Sequence, residues 1–284
     1  MKLFRFIAIV FFSMPCFSCA EAGQQKEMKA EEIIKLVKKG ESVNIVDKII
    51  IGDLNFTAGS EPFFLNAEMV QCDVQSNIFF EHCVFMGKVT SNGKIENIDV
   101  QSRFLRNLLF TGCDFRGEVD FNGATVFGMV NFSRTTFREN VNFNNLSTFS
   151  KNSFFQDIKT EKNFMMIYAS FAGNLNFFNA VFGGKTSFQE TSVGDKLVCK
   201  NCVFNNRTGF DMITVYGNSF FNYAKFEETV DFSWARFMSS ADFANATFEK
   251  TATFEKTFFL YTVNFDEVER QNLIFTDCFL KNSE

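Results

Sequence analysis

Proline is almost missing from this chain of 284 residues: Pro15 and Pro62 are the only two, and none follows Pro62. A backbone without proline keeps every amide available as a donor, which suits a fold made of continuous hydrogen-bonded ladders. Histidine (1), tryptophan (1) and tyrosine (4) are nearly as scarce. One histidine, His82, leaves little material for imidazole metal centres or for acid–base catalysis. Glycine-rich phosphate loops are absent as well. Past the N-terminus no apolar run is long enough for a membrane helix, which takes about 20 residues.

One excess stands against these absences. The chain holds 43 phenylalanines. A core of varied shape mixes Leu, Ile, Val and Phe, so one dominant large residue points to one kind of site repeated many times.

The N-terminus has its own grammar. Lys2 and Arg5 precede an apolar run from Phe6 to Phe12, followed by small residues, the layout of a secretory signal. Ser18 before Cys19 resembles a bacterial lipobox, although Cys16 stands where that pattern usually has Leu. This reading makes Cys19 the lipidated residue of a membrane-anchored lipoprotein on the periplasmic or surface side of the envelope. Cleavage after Ala20, giving a secreted soluble protein, is the alternative. Removal of residues 1 to 18 takes away two basic side chains and no acid, leaving 26 basic against 33 acidic residues. Nucleic acid is not an expected partner for a chain of that charge.

Residues 19 to 29 are polar and read as a tether. Ala30, Ile33, Ile34 and Val37 then fall at helical spacing, with Lys38 and Lys39 in the last turn and Gly40 as the stop. A short capping helix with its lead-in is therefore expected over 30 to 48, and the main body over 49 to 284.

In that body the apolar spacing alternates between five and six. From Ala180 to Glu267 a central large residue recurs without a slip, with a small or β-branched residue two before it and often Asp or Asn between, as at Asp231, Asp242 and Asn264. The period of 22 sorts the centres into columns. Phe188, Phe210, Phe232 and Phe254 make one, and Phe182, Phe204, Phe226 and Phe248 a second. A third runs through Phe177, Cys199, Phe221, Phe243 and Phe265, and a fourth through Val193, Val215, Phe237 and Phe259. The pattern continues upstream from Leu108 to Asn145, more loosely from about Leu54, while 89 to 107 and 146 to 168 keep their length but lose regular centres.

This unit resembles the pentapeptide-repeat family. The resemblance implies an all-β solenoid, a right-handed quadrilateral parallel β-helix in which four units make one coil. Residues 49 to 280 leave room for about ten such coils, a rod of about 50 Å at strand spacing. It also implies pairing through the C-terminal coils, hence a possible homodimer. Quinolone-resistance members of the family mimic DNA and protect topoisomerases, but they act in the cytoplasm through a strongly acidic face, and the export signal argues against that role here.

Register decides the reading of the cysteines. Cys72, Cys83, Cys113, Cys202 and Cys278 each stand two before a centre, and Cys199 takes a centre, so core filling outweighs metal or redox chemistry for the CKNC run. Whether Cys199 and Cys202 form a disulfide stays open. His82 reads as a surface residue. Glu227 with Glu228, and Asp266 with Glu267, fall at corners, and no acidic column of the kind a glycosidase needs emerges.

Outside the tube one strip departs from charge. Tyr216, Met238 and Leu260 follow the centres of one wall at intervals of 22, Met212 and Trp234 stand at the adjoining corner, and Tyr261 lies beside Leu260. Such a strip suits a protein partner. The sequence thus points to a non-enzymatic envelope scaffold or protein-binding module without cofactor or metal, with a spacer lacking any specific ligand as the rival. Membrane contact is expected through the lipid anchor only. A tagged Cys19→Ser variant should leave the membrane fraction for the soluble one on cell fractionation; retention in the membrane would remove the anchor from this account.

Overall fold

A computed structural model describes residues 26–59, 62–64, 69–95, 97–148 and 152–281. Residues 1–18, read above as an export signal, and Cys19 lie outside them. The chain winds as a parallel solenoid with four walls, met in the order one to four along each coil, and three walls hold ten strands apiece. Wall one opens with Val43–Val46, wall two with Lys48–Ile51, wall three with Leu54–Asn55, and wall four with Met69–Val74 after a short antiparallel strand, Pro62–Phe64. Strands pair with their counterparts one coil on, as Phe182 does with Phe204 and Phe204 with Phe226.

The columns lie as the period requires. In wall three the rings of Phe188, Phe210, Phe232 and Phe254 stack with centroids 4.9, 5.0 and 4.9 Å apart. In wall two Phe182, Phe204, Phe226 and Phe248 follow at 4.9, 4.8 and 5.0 Å. Wall one stacks Phe221, Phe243 and Phe265 at 4.8 and 4.9 Å, and wall four carries Phe237 on Phe259 at 5.3 Å. Rings from adjacent walls meet edge to face, as Phe221 meets Phe232 at 5.4 Å and 86°. Parallel strands lie about 4.8 Å apart, so one backbone spacing sets both the amide ladder and the ring stack.

The alternation of five and six comes from two kinds of corner. After a centre in wall one or wall three the chain makes a tight turn whose third residue has positive φ, such as Trp234 (59°) or Asn245 (58°). The fourth amide donates to the centre's carbonyl, as Ala235 does to Phe232 at 3.0 Å. This is type II geometry, and it closes a five-residue step. The Asp or Asn before the centre caps the same turn: Asp231 and Asp242 accept the amides of Ser233 and Ala244 at 2.8 and 3.0 Å. That local bond is the physical reason for Asp and Asn at this place.

The residue two before a centre does more than fill space. Thr135 and Thr257 donate their hydroxyls to the carbonyls of Phe110 and Phe232 in the coil before, at 2.7 and 2.9 Å, and Thr191 makes the same bond to Met166. Cys202 donates its thiol to Phe177 at 3.0 Å in the equivalent position. Cys72, Cys83, Cys113, Cys199 and Cys202 are buried, and Cys278 is half-buried. Among the described residues no disulfide joins any two of these six cysteines.

Four expectations need correction. Residues 26 to 29, assigned to a tether, form the strand Lys26–Lys29, which pairs with Lys48–Ile51 and gives wall two an extra layer at its N-terminal edge. The first coil starts at Val43, not at 49. The stretch 89 to 107 does not keep its length: the strand Asn92–Ile95 turns back antiparallel on Ile98–Phe104. That hairpin stretches the step between coils to 30 residues, while the segment around Pro62–Phe64 stretches the one before it to 35. Between 146 and 168 the described strands keep to the four walls, and all four pairings shift to a step of 23, so the sequence carries one extra residue between Thr148 and Asn152.

Helix α1 (Ala30–Lys38) covers the N-terminal end with Ala30, Ile33 and Val37 buried, and stops at Gly40 with φ 69°. Val37 packs so closely on Gly59 that a Cβ there would lie 2.5 Å from it. Among the described residues no helix is long and apolar enough to cross a membrane.

Truncating Phe210, which touches rings in its own and neighbouring walls, should cost about 3 to 5 kcal/mol. Urea unfolding of Phe210→Ala followed by circular dichroism measures it, and a loss under about 1 kcal/mol would mean the ring is not packed as described.

Candidate binding surface

The outward residues take their geometry from the same frame. Tyr216, Met238 and Leu260 directly follow the wall-four centres Val215, Phe237 and Phe259, and therefore line the corner where each coil passes from wall four to wall one. Met212 and Trp234 occupy the positive-φ position of the corner from wall three to wall four. The six strip residues thus frame the outside of wall four on both sides. Met212, Tyr216, Trp234 and Tyr261 are exposed, while Met238 and Leu260 are half-buried.

Several members of this surface escaped sequence reading because the residue type changes along their columns. Between the two corners stand Arg236 and Phe258, the outward residues of paired strands. Phe258 stacks on Phe279 at 4.7 Å, carrying the apolar surface to the C-terminal end. The ammonium of Lys256 sits 4.5 Å from the centre of the Trp234 ring, a cation–π contact between successive coils.

Corner conformation separates scaffold from decoration. At the type II position an L-residue other than Gly or Asn is strained by roughly 1 to 2 kcal/mol. Along the corner from wall three to wall four the sequence begins with the cheap choices, Gly123 and Asn145, and then places Tyr168, Glu190, Met212, Trp234 and Lys256 at positive φ. Tyr168 hydrogen-bonds Glu190, and that acid raises the phenol's pKa. Nothing in the turn itself calls for a tryptophan. The signal was present in the sequence, since Trp234 and Met212 stand two after a centre, the position that Asn179, Asn201 and Asn245 take on the opposite corner, where Tyr223 is the bulky exception.

The C-terminal end is built differently from the capped start. In the last coil Asp266 to Asn272 cross wall two without forming a strand, and the Asn272 side chain donates to the Phe248 carbonyl at 2.7 Å, blunting that edge. The other three walls end in Val263–Asn264, Leu273–Ile274 and Phe279–Leu280. Phe275, Phe279 and Leu280 are about half exposed, at 46, 51 and 53 %. A depression of about 360 Å³ opens here between Phe259, Phe265, Arg270, Phe275 and Leu280.

Several charged side chains outside this surface have structural partners. His82, at positive φ, places Nδ1 3.7 Å from Asp47 and lays its ring over Gly112. On wall two Asp114 receives Arg138 at 2.8 Å, and Arg138 also reaches Glu161 at 3.1 Å, an exposed ladder of the kind that contributes little. Lys225 holds Glu227 at 2.6 Å. Among the described residues no three His, Cys, Asp or Glu side chains are grouped to hold a metal. Burial drives the thiols of Cys83, Cys113 and Cys199 above their ordinary pKa, which suppresses the nucleophilic thiolate.

Comparison with known families adds one finding. The family model described as pentapeptide repeats, in 9 copies, matches residues 100–147 and 210–257. Apart from the hairpin-bearing strand at the start of the first match, these are regular coils, and the unmatched stretch between them has the same four walls. No curated protein and no solved structure matches the chain.

Proposed function

The chain belongs to the pentapeptide-repeat family, and on that premise we propose that it serves as a non-enzymatic, protein-binding scaffold of the cell envelope. It is exported, held at the membrane by a lipid on Cys19, and presents the outside of wall four to a protein partner. The observation that carries this reading is the row of bulky side chains, Met212 and Trp234, at corner positions where Asn or Gly would be less strained. Strain kept at the surface, beside exposed Tyr216 and Tyr261, supports selection for contact over selection for stability. A rigid wall also suits recognition, because its side chains lose little freedom on docking.

The half-exposed Phe275, Phe279 and Leu280 of the last described coil support a second contact, the pairing of two copies through their C-terminal coils. A topoisomerase-protecting DNA mimic is less well supported, since the wall-four surface carries Arg236 and Lys256 and lacks a continuous acidic face. The bare spacer is the reading to beat.

One comparison decides between scaffold and spacer. Tagged wild type and the double variant Trp234→Asn with Met238→Ser are crosslinked in intact cells, the attached proteins identified, and the purified forms weighed by light scattering. The proposal expects a specific protein attached to wild type and lost from the variant, with stability changed by less than about 1 kcal/mol because Asn suits the corner. It expects a dimer mass for both forms. An unchanged set of attached proteins would leave the strip as scaffold, and a monomer mass at high concentration would remove the pairing.

A further inference from the structure

The ring columns are interrupted at a few places, and one gap holds two thiols. In wall one the centres run Phe155, Phe177, Cys199, Phe221, so Cys199 stands where a ring would stack on both neighbours. Cys202 follows three residues later at the entrance to wall two. The two are joined by a type II corner: Asn201 has φ 59°, and the Cys202 amide donates to the Cys199 carbonyl at 3.2 Å. Both side chains are fully buried in the same interior. Such a turn holds its first and fourth Cα atoms less than about 7 Å apart, and disulfides span about 4.4 to 6.8 Å.

A second close pair offers a contrast. Cys83 and Cys113 neighbour each other on successive coils, immediately before the paired residues Val84 and Asp114. Each already donates its thiol to a carbonyl, Cys83 to Ile45 at 3.5 Å and Cys113 to Phe80 at 3.7 Å. Joining them would break both bonds. In the corner pair Cys202 alone has such a bond, to Phe177, while Cys199 has Cys202 as its partner.

We propose that Cys199 and Cys202 are a dithiol–disulfide couple, open in the structure described here and closed when the chain folds under oxidising conditions. The oxidant is a disulfide of the glutathione class. One cysteine thiolate attacks it, forming a mixed disulfide and releasing one small thiol. The second cysteine thiolate then displaces the other small thiol, so one S–S bond is lost from the oxidant and one gained by the protein. The two protons leave through solvent and reside on the released thiols. Burial sets the timing: the bond forms before the coil closes over it, and afterwards reductant is excluded. It ties the turn at the point where wall one lacks a ring. The inference rests on the fold and is independent of the partner surface.

The test uses the full chain, reduced and unfolded, then refolded in buffers rich in oxidised or reduced glutathione, alkylated under denaturing conditions and mapped by mass spectrometry. After oxidative refolding the peptide spanning Cys199 and Cys202 should be two hydrogens lighter and unalkylated, with Cys72, Cys83, Cys113 and Cys278 alkylated. Dithiothreitol should open the link only in the presence of denaturant. Cys202→Thr places there the hydroxyl that Thr135 and Thr257 use in equivalent positions. That variant should fold and leave Cys199 alkylatable. Alkylation of both corner cysteines after oxidative refolding, or a link between Cys83 and Cys113 in its place, would overturn the proposal.

Discussion

Everything in this molecule follows from one coincidence of lengths. Parallel strands stand about 4.8 Å apart, close to the separation at which offset aromatic rings attract one another. A phenylalanine repeated at the coil period therefore satisfies two requirements with one side chain, filling the interior and stacking on its own copy above and below. No coil could bury enough alone, and the stack lets each borrow its neighbours' surfaces. The corners follow: each wall must return its chain to the same height, and a type II turn capped by Asp or Asn does this in five residues.

That logic explains what could be read beforehand and what could not. The columns at 182 to 265 were legible because a ring at a fixed interval has few alternative packings. The N-terminal coils were not, because Asn92–Ile95 and Pro62–Phe64 pair antiparallel to the wall, and a hairpin of that kind has no period to betray it. The strand Lys26–Lys29 is charged and mostly exposed; its place comes from the free edge of Lys48–Ile51, a tertiary cause without local signature. The thiols were placed correctly as inward groups, but their bonds to carbonyls of the preceding coil depend on a neighbour 25 residues away.

For the candidate surface the same division holds. Tyr216, Met238 and Leu260 announce themselves by their interval, whereas Phe258 joins them only because its strand pairs with Phe279–Leu280. Lys256 is invisible as a member until its ammonium is seen over Trp234. The two ends complete the picture: helix α1 and the strand before it close the N-terminal end, while the last coil blunts wall two and leaves Phe275, Phe279 and Leu280 uncovered.

The claim beneath all of this is that stacked rings hold successive coils together, and a double-mutant cycle on Phe210 and Phe232, whose centroids lie 5.0 Å apart, addresses it most directly. With unfolding free energies of wild type, both single Phe→Leu variants and the double variant, the account predicts a coupling of about 0.5 to 1.5 kcal/mol. Simple additivity within about 0.3 kcal/mol would contradict it.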